Sequence, residues 1–204
     1  MFNKLLEGVD KTLVRNLVIL HTLVIAVSNY LAGPAFHIEL LANPIPLFGT
    51  FEIMAAAFTF PIVVVATDLT VRMVGKEAGR AVVAISIVPA IIGSVLMLGL
   101  TGAPWEIAMR IGAASGVAYG IGTMLDVYVF QYIRERFTTA WWAAPAISTI
   151  AANFIDTYVF VLTAFPEEFG LAFNQTMVKV VVGLIVFLPA YGLLLKALSG
   201  RLRG

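Results

Sequence analysis

The chain has 204 residues, of which 60% are hydrophobic and only 12% charged, and its formal net charge is +1. Soluble domains typically carry about 25% charged residues, so the composition excludes an ordinary soluble domain. The absence of cysteine excludes disulfides and thiol-based sites, and two histidines leave little material for a metal centre. We therefore expect no metal, no cofactor and no nucleic-acid partner.

Six long apolar runs follow one another, and each is long enough for a membrane-spanning helix. They are continuous rather than alternating, which favours helices because a helix satisfies its own backbone polar groups in lipid. The first run follows a charged, amphipathic start and is too long for a cleavable signal peptide. We predict one all-α, polytopic membrane domain over residues 1–204, with spans at residues 13–33, 51–74, 80–101, 105–130, 141–165 and 177–198.

The connections between the spans differ in charge. The first loop, residues 33–50, has no lysine or arginine, and the fifth carries Glu167 and Glu168. The positive-inside rule therefore predicts that both termini are cytoplasmic, in a multi-pass inner-membrane protein. Basic residues gather in the N-terminus, the second and fourth loops and the C-terminus: Lys4, Lys11, Arg15, Arg72, Lys76, Arg80, Arg134, Arg136, Lys196, Arg201 and Arg203.

The first loop is long and apolar, with three prolines. Two alternatives stay open for it: it dips into the membrane or covers a cavity as a lid, or it lies along the interface. An inverted three-plus-three repeat also stays open, since Val88-Pro89-Ala90 in the third span resembles Leu188-Pro189-Ala190 in the sixth.

Three aspartates lie within predicted spans, where a charge costs about 2.5–3.5 kcal/mol on insertion scales. Asp68 and Arg72 are four residues apart on one helix face, which predicts an ion pair or a gating pair. Asp126 lies near Arg134 and Arg136, so an interfacial ion pair and a role in ligand binding are equally open.

Asn153 and Asp156 share a face near the middle of the fifth span. A carboxylate accepts two N–H bonds and an amide can donate beside it, a combination that suits a planar heterocycle. The alternative is a polar clamp between helices. Lys179 is either an interfacial anchor or the cationic partner of Glu52 or Asp156, and Asn29 and Tyr30 offer an amide and an aromatic face.

Small residues predict close helix packing at two places. Gly112, Gly116 and Gly120 form a ridge along the fourth span, which we interpret as pure packing. Ser28 and Ala32 form one small-residue pair in the first span, which could dock a partner helix.

Several segments together resemble a known family. They are SNY at 28–30, FTFPIVVVATDLTVRMVG at 58–75, LDVYVF at 125–130, WWAAPAISTIAANFIDTYVF at 141–160 and VKVVVGLIVFLPAYGLLL at 178–195. They are similar to the queuosine precursor transporters of the YhhQ type, a six-helix inner-membrane group also called the vitamin uptake transporter family. The resemblance implies import of 7-cyano-7-deazaguanine and 7-aminomethyl-7-deazaguanine for tRNA queuosine synthesis, and hence a small-molecule partner within the lipid bilayer.

Two other functions compete with that of a stand-alone carrier. A substrate-binding subunit of an energy-coupling-factor transporter is also a small six-helix protein, and Ser28 and Ala32 would serve its docking face. An intramembrane enzyme is not expected, because no nucleophile or metal motif accompanies the aspartates. A homodimer and a separate coupling module are left open. The predicted ligand contacts are led by Asp156 and Asn153, followed by Asp68, Asn29, Tyr30, Asp126, Lys179 and Glu52.

Overall fold

A computed structural model of the chain describes residues 10–32, 36–45, 49–137, 139–166 and 169–201. Side chains of residues 37–52 and 199–201 lie outside the described part. Six helical segments are long and apolar enough to cross a membrane, which confirms the predicted helical membrane fold. The helices are α1 (Lys11–Leu31), α2 (Pro61–Met73), α3 (Lys76–Leu100), α4 (Trp105–Arg136), α5 (Ala143–Ala164), α6 (Phe169–Val182) and α7 (Leu188–Arg201), with α6 and α7 joined by a π-helical stretch at Gly183–Phe187.

The second span begins differently from the prediction. A short 3₁₀ helix at Ala55–Phe58 precedes α2, and Pro61 is the first residue of α2. Proline suits this position because its missing N–H would have no partner in the first turn of a helix. The regular α-helix of the second span therefore begins at Pro61, ten residues after the predicted start of that span at residue 51.

The sixth span begins at Phe169, eight residues before the predicted start at residue 177. The polar run Asn174-Gln175-Thr176 lowers the local hydropathy and obscured this start. All three side chains are buried inside the protein rather than exposed to lipid. The span therefore carries a polar face directed into the bundle.

The first long loop forms a β-hairpin of two antiparallel strands, β1 (His37–Ile45) and β2 (Gly49–Met54). Strand β2 packs against α6, and the backbone N–H of Met54 donates to Gln175 Oε1 over 3.1 Å. The two alternatives for the role of this loop stay predictions. The protein end that carries the hairpin is called the hairpin end, and the end that carries Arg72, Arg80 and Arg134 is called the basic end.

Helix α4 packs against α3 on one side and α5 on the other. The predicted glycine ridge faces α3, where a methyl group on Gly112, Gly116 or Gly120 would meet the side chains of Val95, Ile91 and Ile87 respectively. The packing interpretation of the ridge is confirmed. The inverted repeat and the cytoplasmic location of the termini stay predictions.

Candidate functional site

A cavity with an empty volume of about 430 Å³ lies under the hairpin. We call it the hairpin cavity. Its lining combines small, aromatic and polar residues: Ser28, Asn29, Ala32, Met54, Ala56, Ala57, Phe60, Ser115, Ala118, Asp156, Thr157, Phe160, Val161, Gln175 and Lys179.

A buried ion pair dominates this cavity. Lys179 Nζ on α6 donates to Asp156 Oδ2 on α5 over 2.9 Å, and both side chains are buried. The ammonium group also lies over the ring of Phe60, 4.6 Å from its centroid. Because removing two charges from water is costly, a pair at this depth is weak evidence for stability and better evidence for a function.

Gly122 on α4 allows Asp156 its position. A methyl group on Gly122 would lie 2.7 Å from Asp156 Cβ, 3.2 Å from its Cα and 3.3 Å from the carbonyl oxygen of Ala152. Only glycine lets α4 and α5 approach this closely without displacing backbone. The contact between α4 and α5 therefore fixes the backbone of Asp156, and the hydrogen bond from Lys179 holds its carboxylate on the cavity side.

The remaining polar lining residues come from the four helices α1, α4, α5 and α6. Asn29 on α1 donates from Nδ2 to Ser94 Oγ over 2.6 Å, and Ser28 Oγ donates to the carbonyl oxygen of Ala56 over 3.4 Å. Ser28 and Ala32 are thus buried and line the cavity. The prediction that they form an exposed docking face is wrong, because α1 turns them towards the bundle interior.

Asn153 is fully buried one helical turn from Asp156, on the side towards the basic end. Neither its Nδ2 nor its Oδ1 has a hydrogen-bond partner among the described residues. Asn153 does not line the hairpin cavity. Its predicted contact with a bound ligand is therefore not supported by this cavity and stays a prediction. An unpaired buried amide costs about 1–3 kcal/mol, so a ligand or a water that bonds to Asn153 would stabilise the protein.

A second, smaller cavity lies beyond Asn153, with an empty volume of about 250 Å³. We call it the basic-end cavity. Asp68, Thr149, Gly183 and Tyr191 contribute to its lining. Asp68 is therefore separated from the Asp156–Lys179 pair and belongs to a different group of polar residues.

That second group contains Asp68 on α2, Asp126 on α4 and Ser148 on α5. The two carboxyl groups interact directly, and Ser148 Oγ donates to Asp68 Oδ1 over 3.4 Å. Asp126 is completely buried and makes no contact with the hairpin cavity. Of the two alternatives left open for Asp126, the ion pair with Arg134 or Arg136 is not formed in the described part of the chain, where Asp126 interacts with Asp68 instead.

Arg72 lies at the basic end, where it makes three contacts. Its Nη2 donates to the carbonyl oxygen of Trp141 over 3.0 Å, and its guanidinium lies between the rings of Phe130 and Tyr191, at 5.7 and 5.6 Å from their centroids. We call these four residues the arginine cluster. No direct ion pair joins Asp68 and Arg72 among the described residues, so that prediction is corrected to an electrostatic interaction at longer range.

Two further predicted contacts lie elsewhere. The ring of Tyr30 packs against Phe36 with centroids 5.0 Å apart and does not line the hairpin cavity. The side chain of Glu52 lies outside the described residues. Sequence reasoning missed Phe60, Phe160 and Gln175; for Gln175 the signal was available, because it lies four residues before Lys179 on the same helix face.

Known proteins resemble this chain over most of its length. The family model described as "Putative vitamin uptake transporter" matches residues 54–194. The "Queuosine precursor transporter" of Escherichia coli (strain K12) is 34% identical over 206 residues, covering 89% of this chain and 86% of that protein. The "Probable queuosine precursor transporter" of Haemophilus influenzae is 32% identical over 205 residues, covering 90% of this chain and 86% of that protein. No solved structure matches.

Proposed function

This chain belongs to the vitamin uptake transporter family, and from that premise we propose that it imports queuosine precursors across the bacterial inner membrane. The substrates are the bases 7-cyano-7-deazaguanine and 7-aminomethyl-7-deazaguanine, which serve the modification of tRNA. Two relatives that align with about nine-tenths of the chain are named as transporters of such precursors. The chain is accordingly a transporter and not an enzyme.

The proposed binding mode rests on the Asp156–Lys179 ion pair. A deazaguanine presents one edge with an acceptor, O6, followed by two donors, N1–H and N2–H₂. The pair presents the complementary order, with the donor Nζ next to the two acceptor oxygens of the carboxylate, since Nζ and Oδ2 lie 2.9 Å apart. One base can therefore receive a hydrogen bond from Lys179 and donate two to Asp156.

The rest of the hairpin cavity suits a flat, largely apolar ring. Phe60 and Phe160 both line it and offer aromatic faces, and the small side chains of Ala57 and Ala118 leave room between the helices. The Asp156–Lys179 pair has no net charge, so a neutral base enters without leaving an uncompensated charge in the protein.

Binding to the purified protein tests this proposal. Titration with 7-cyano-7-deazaguanine should give saturable binding, and 7-aminomethyl-7-deazaguanine should compete, since both share the donor–acceptor edge. Biotin lacks that edge and should not compete. Guanine shares the edge but has nitrogen at position 7, so its affinity measures how much of the recognition comes from the edge. Absence of binding by both deazaguanines would contradict the proposal.

Uptake by the chain alone tests whether it is self-sufficient. Proteoliposomes that contain only this protein should exchange external labelled base for internal unlabelled base. Exchange that appears only when a separate ATPase module is supplied would instead identify a substrate-binding subunit. Glu77→Gln is a suitable control variant, because Glu77 is exposed at the basic end and, within the described part of the chain, pairs only with Arg80 across one helical turn.

A further inference from the structure

The Asp68–Asp126 contact is a second buried polar centre, distinct from the substrate cavity. Asp126 is 0% and Asp68 is 1% exposed. Their carboxyl groups interact with each other and with Ser148, whose hydroxyl donates to Asp68 Oδ1 over 3.4 Å. Two ionised carboxylates have only acceptors, so they repel each other at contact distance unless a cation lies between them.

The positive charges around this pair are few and already engaged. Arg72 on α2 is near enough to interact with Asp68, but it donates to the carbonyl oxygen of Trp141. Arg134 on α4 donates to the carbonyl oxygen of Val71, and from α7 the neutral hydroxyl of Tyr191 faces Asp68. Helix α5 contributes only the hydroxyl of Ser148. The positive charge of Arg72, at longer range, balances the negative charge of one carboxylate. The charge of the other carboxylate is then left to be neutralised by a bound cation.

We propose that the Asp68–Asp126 pair is the site of a co-transported proton that drives accumulation of the substrate. The proton lies between the two carboxyl groups in the loaded state and is released to the basic-end cavity, which Asp68 lines. Its departure leaves two carboxylates, and Arg72 compensates them by moving from Trp141 towards Asp68. No covalent bond changes, and each proton that enters at one end leaves at the other.

The same helices connect this site to the substrate cavity. Helix α2 carries Asp68 eight residues after Phe60, a separation of about 12 Å along a helix. Helix α4 carries Asp126 one turn after Gly122, the residue against which Asp156 packs. A shift of either helix therefore changes the proton site and the substrate site together, which is the physical requirement for coupling.

Helix α5 makes the third connection. It carries Ser148 at the proton site and Asp156 at the substrate site, with the unpartnered amide of Asn153 between them. The π-helical stretch lies beside this helix, since a methyl group on Gly183 would lie 2.9 Å from Thr149 Cγ2 and 3.8 Å from Asn153 Nδ2. Irregular helix at membrane depth is typical of transporter pathways.

The inference rests on the proposed function, and two assays on the same proteoliposomes separate them. Counterflow exchange of labelled 7-cyano-7-deazaguanine needs no energy source and reports transport alone. Accumulation under a gradient of one pH unit, acid outside, reports coupling and should reach about tenfold for one proton per substrate. A pH-sensitive dye inside the vesicles should record acidification when substrate is added outside.

Asp126→Asn should reduce the accumulation ratio to one and abolish its pH dependence, while counterflow stays within about threefold of the unmodified protein. Glu77→Gln should leave both assays unchanged. If Asp126→Asn does not fold, Ser148→Ala provides the second test: loss of a donor to the carboxyl pair favours its protonated form, so the pH midpoint of accumulation should rise.

Three results would overturn the proton site: counterflow with no accumulation under the pH gradient, accumulation retained by Asp126→Asn, or accumulation driven by a sodium gradient at equal pH. The proposed function would survive all three. Absence of counterflow for both deazaguanines would overturn the proposed function and the proton site with it.

Discussion

At the scale of single residues, the Asp156–Lys179 pair has a structural and a functional role that mutations can separate. Removing one partner of a buried ion pair leaves an uncompensated charge and typically costs about 3–5 kcal/mol of stability. Replacing both partners by neutral side chains of similar size removes that penalty. Substrate recognition behaves differently, because it needs the donor and the acceptors themselves.

We therefore expect Asp156→Asn and Lys179→Met each to lower the melting temperature in detergent and to weaken binding of 7-cyano-7-deazaguanine by about 10–100-fold, the value of hydrogen bonds to a charged group. The double variant should recover most of the melting temperature but none of the binding. Thermal unfolding and ligand titration on the same samples measure the two effects. Recovery of binding in the double variant would show that the pair is only structural.

For the polar residues within the spans, the contact partner was the feature that the sequence predicted least well. The spacing of Asn153 and Asp156 predicts a shared helix face, and a charged residue in an apolar run predicts an unusual environment, because both depend only on local geometry and on hydropathy. Whether Lys179 pairs with Asp156 or with Glu52 depends on how α5 and α6 pack. Hydropathy says nothing about such a contact, so the Asp156–Lys179 pair became visible only in the structure.

At the scale of the helices, the contact between α4 and α5 positions the substrate site. Gly122 faces the backbone of α5 at Asp156, whereas Gly120 faces the flexible end of Ile87 on α3, whose Cδ1 would lie 3.1 Å from a methyl group on Gly120. The two glycines are therefore a matched pair on one helix. One contacts a rigid neighbour and the other a side chain that can move.

Gly122→Ala should lower stability by about 1–3 kcal/mol, as expected for overpacking, and should also weaken substrate binding because Asp156 is displaced. Gly120→Ala should change both much less. Melting temperature and dissociation constant, measured in the same detergent, check the expectation. Equal effects of the two substitutions would contradict the assignment of Gly122 as the residue that positions Asp156.

The element boundaries show which features local sequence can predict. Six spans follow from hydropathy alone, because a lipid environment demands long apolar helices. The start of the sixth span and the hairpin do not follow from it. Asn174-Gln175-Thr176 is polar because it faces the protein interior, and the strands β1 and β2 lie in an apolar, proline-rich segment whose period does not distinguish a strand from an interfacial loop.

At the scale of the whole molecule, the arginine cluster adjoins the basic-end cavity through Tyr191, and we predict that it restricts access of water to that cavity. Thr149 lines that cavity and is buried, and the protein contains no cysteine, so Thr149→Cys introduces a single reactive thiol. Adding Arg72→Gln should accelerate its labelling by a small, charged thiol reagent, because the bond to the Trp141 carbonyl is lost. Arg80→Gln removes the same charge from the same end and should not. Equal labelling rates in all three backgrounds would show that Arg72 does not close the cavity.

The direction of transport depends on which end of the molecule faces the cytoplasm. Glu77 is exposed at the basic end and Thr101 is exposed at the opposite end of α3, so cysteines at these two positions report the two sides of the membrane. The positive-inside rule places the basic end in the cytoplasm. A membrane-impermeant maleimide added to intact cells should then label Thr101→Cys and not Glu77→Cys, and disruption of the membrane should expose both. The opposite pattern would contradict import, because the hairpin cavity, and with it the Asp156–Lys179 pair, would open towards the cytoplasm instead of the medium that supplies the substrate.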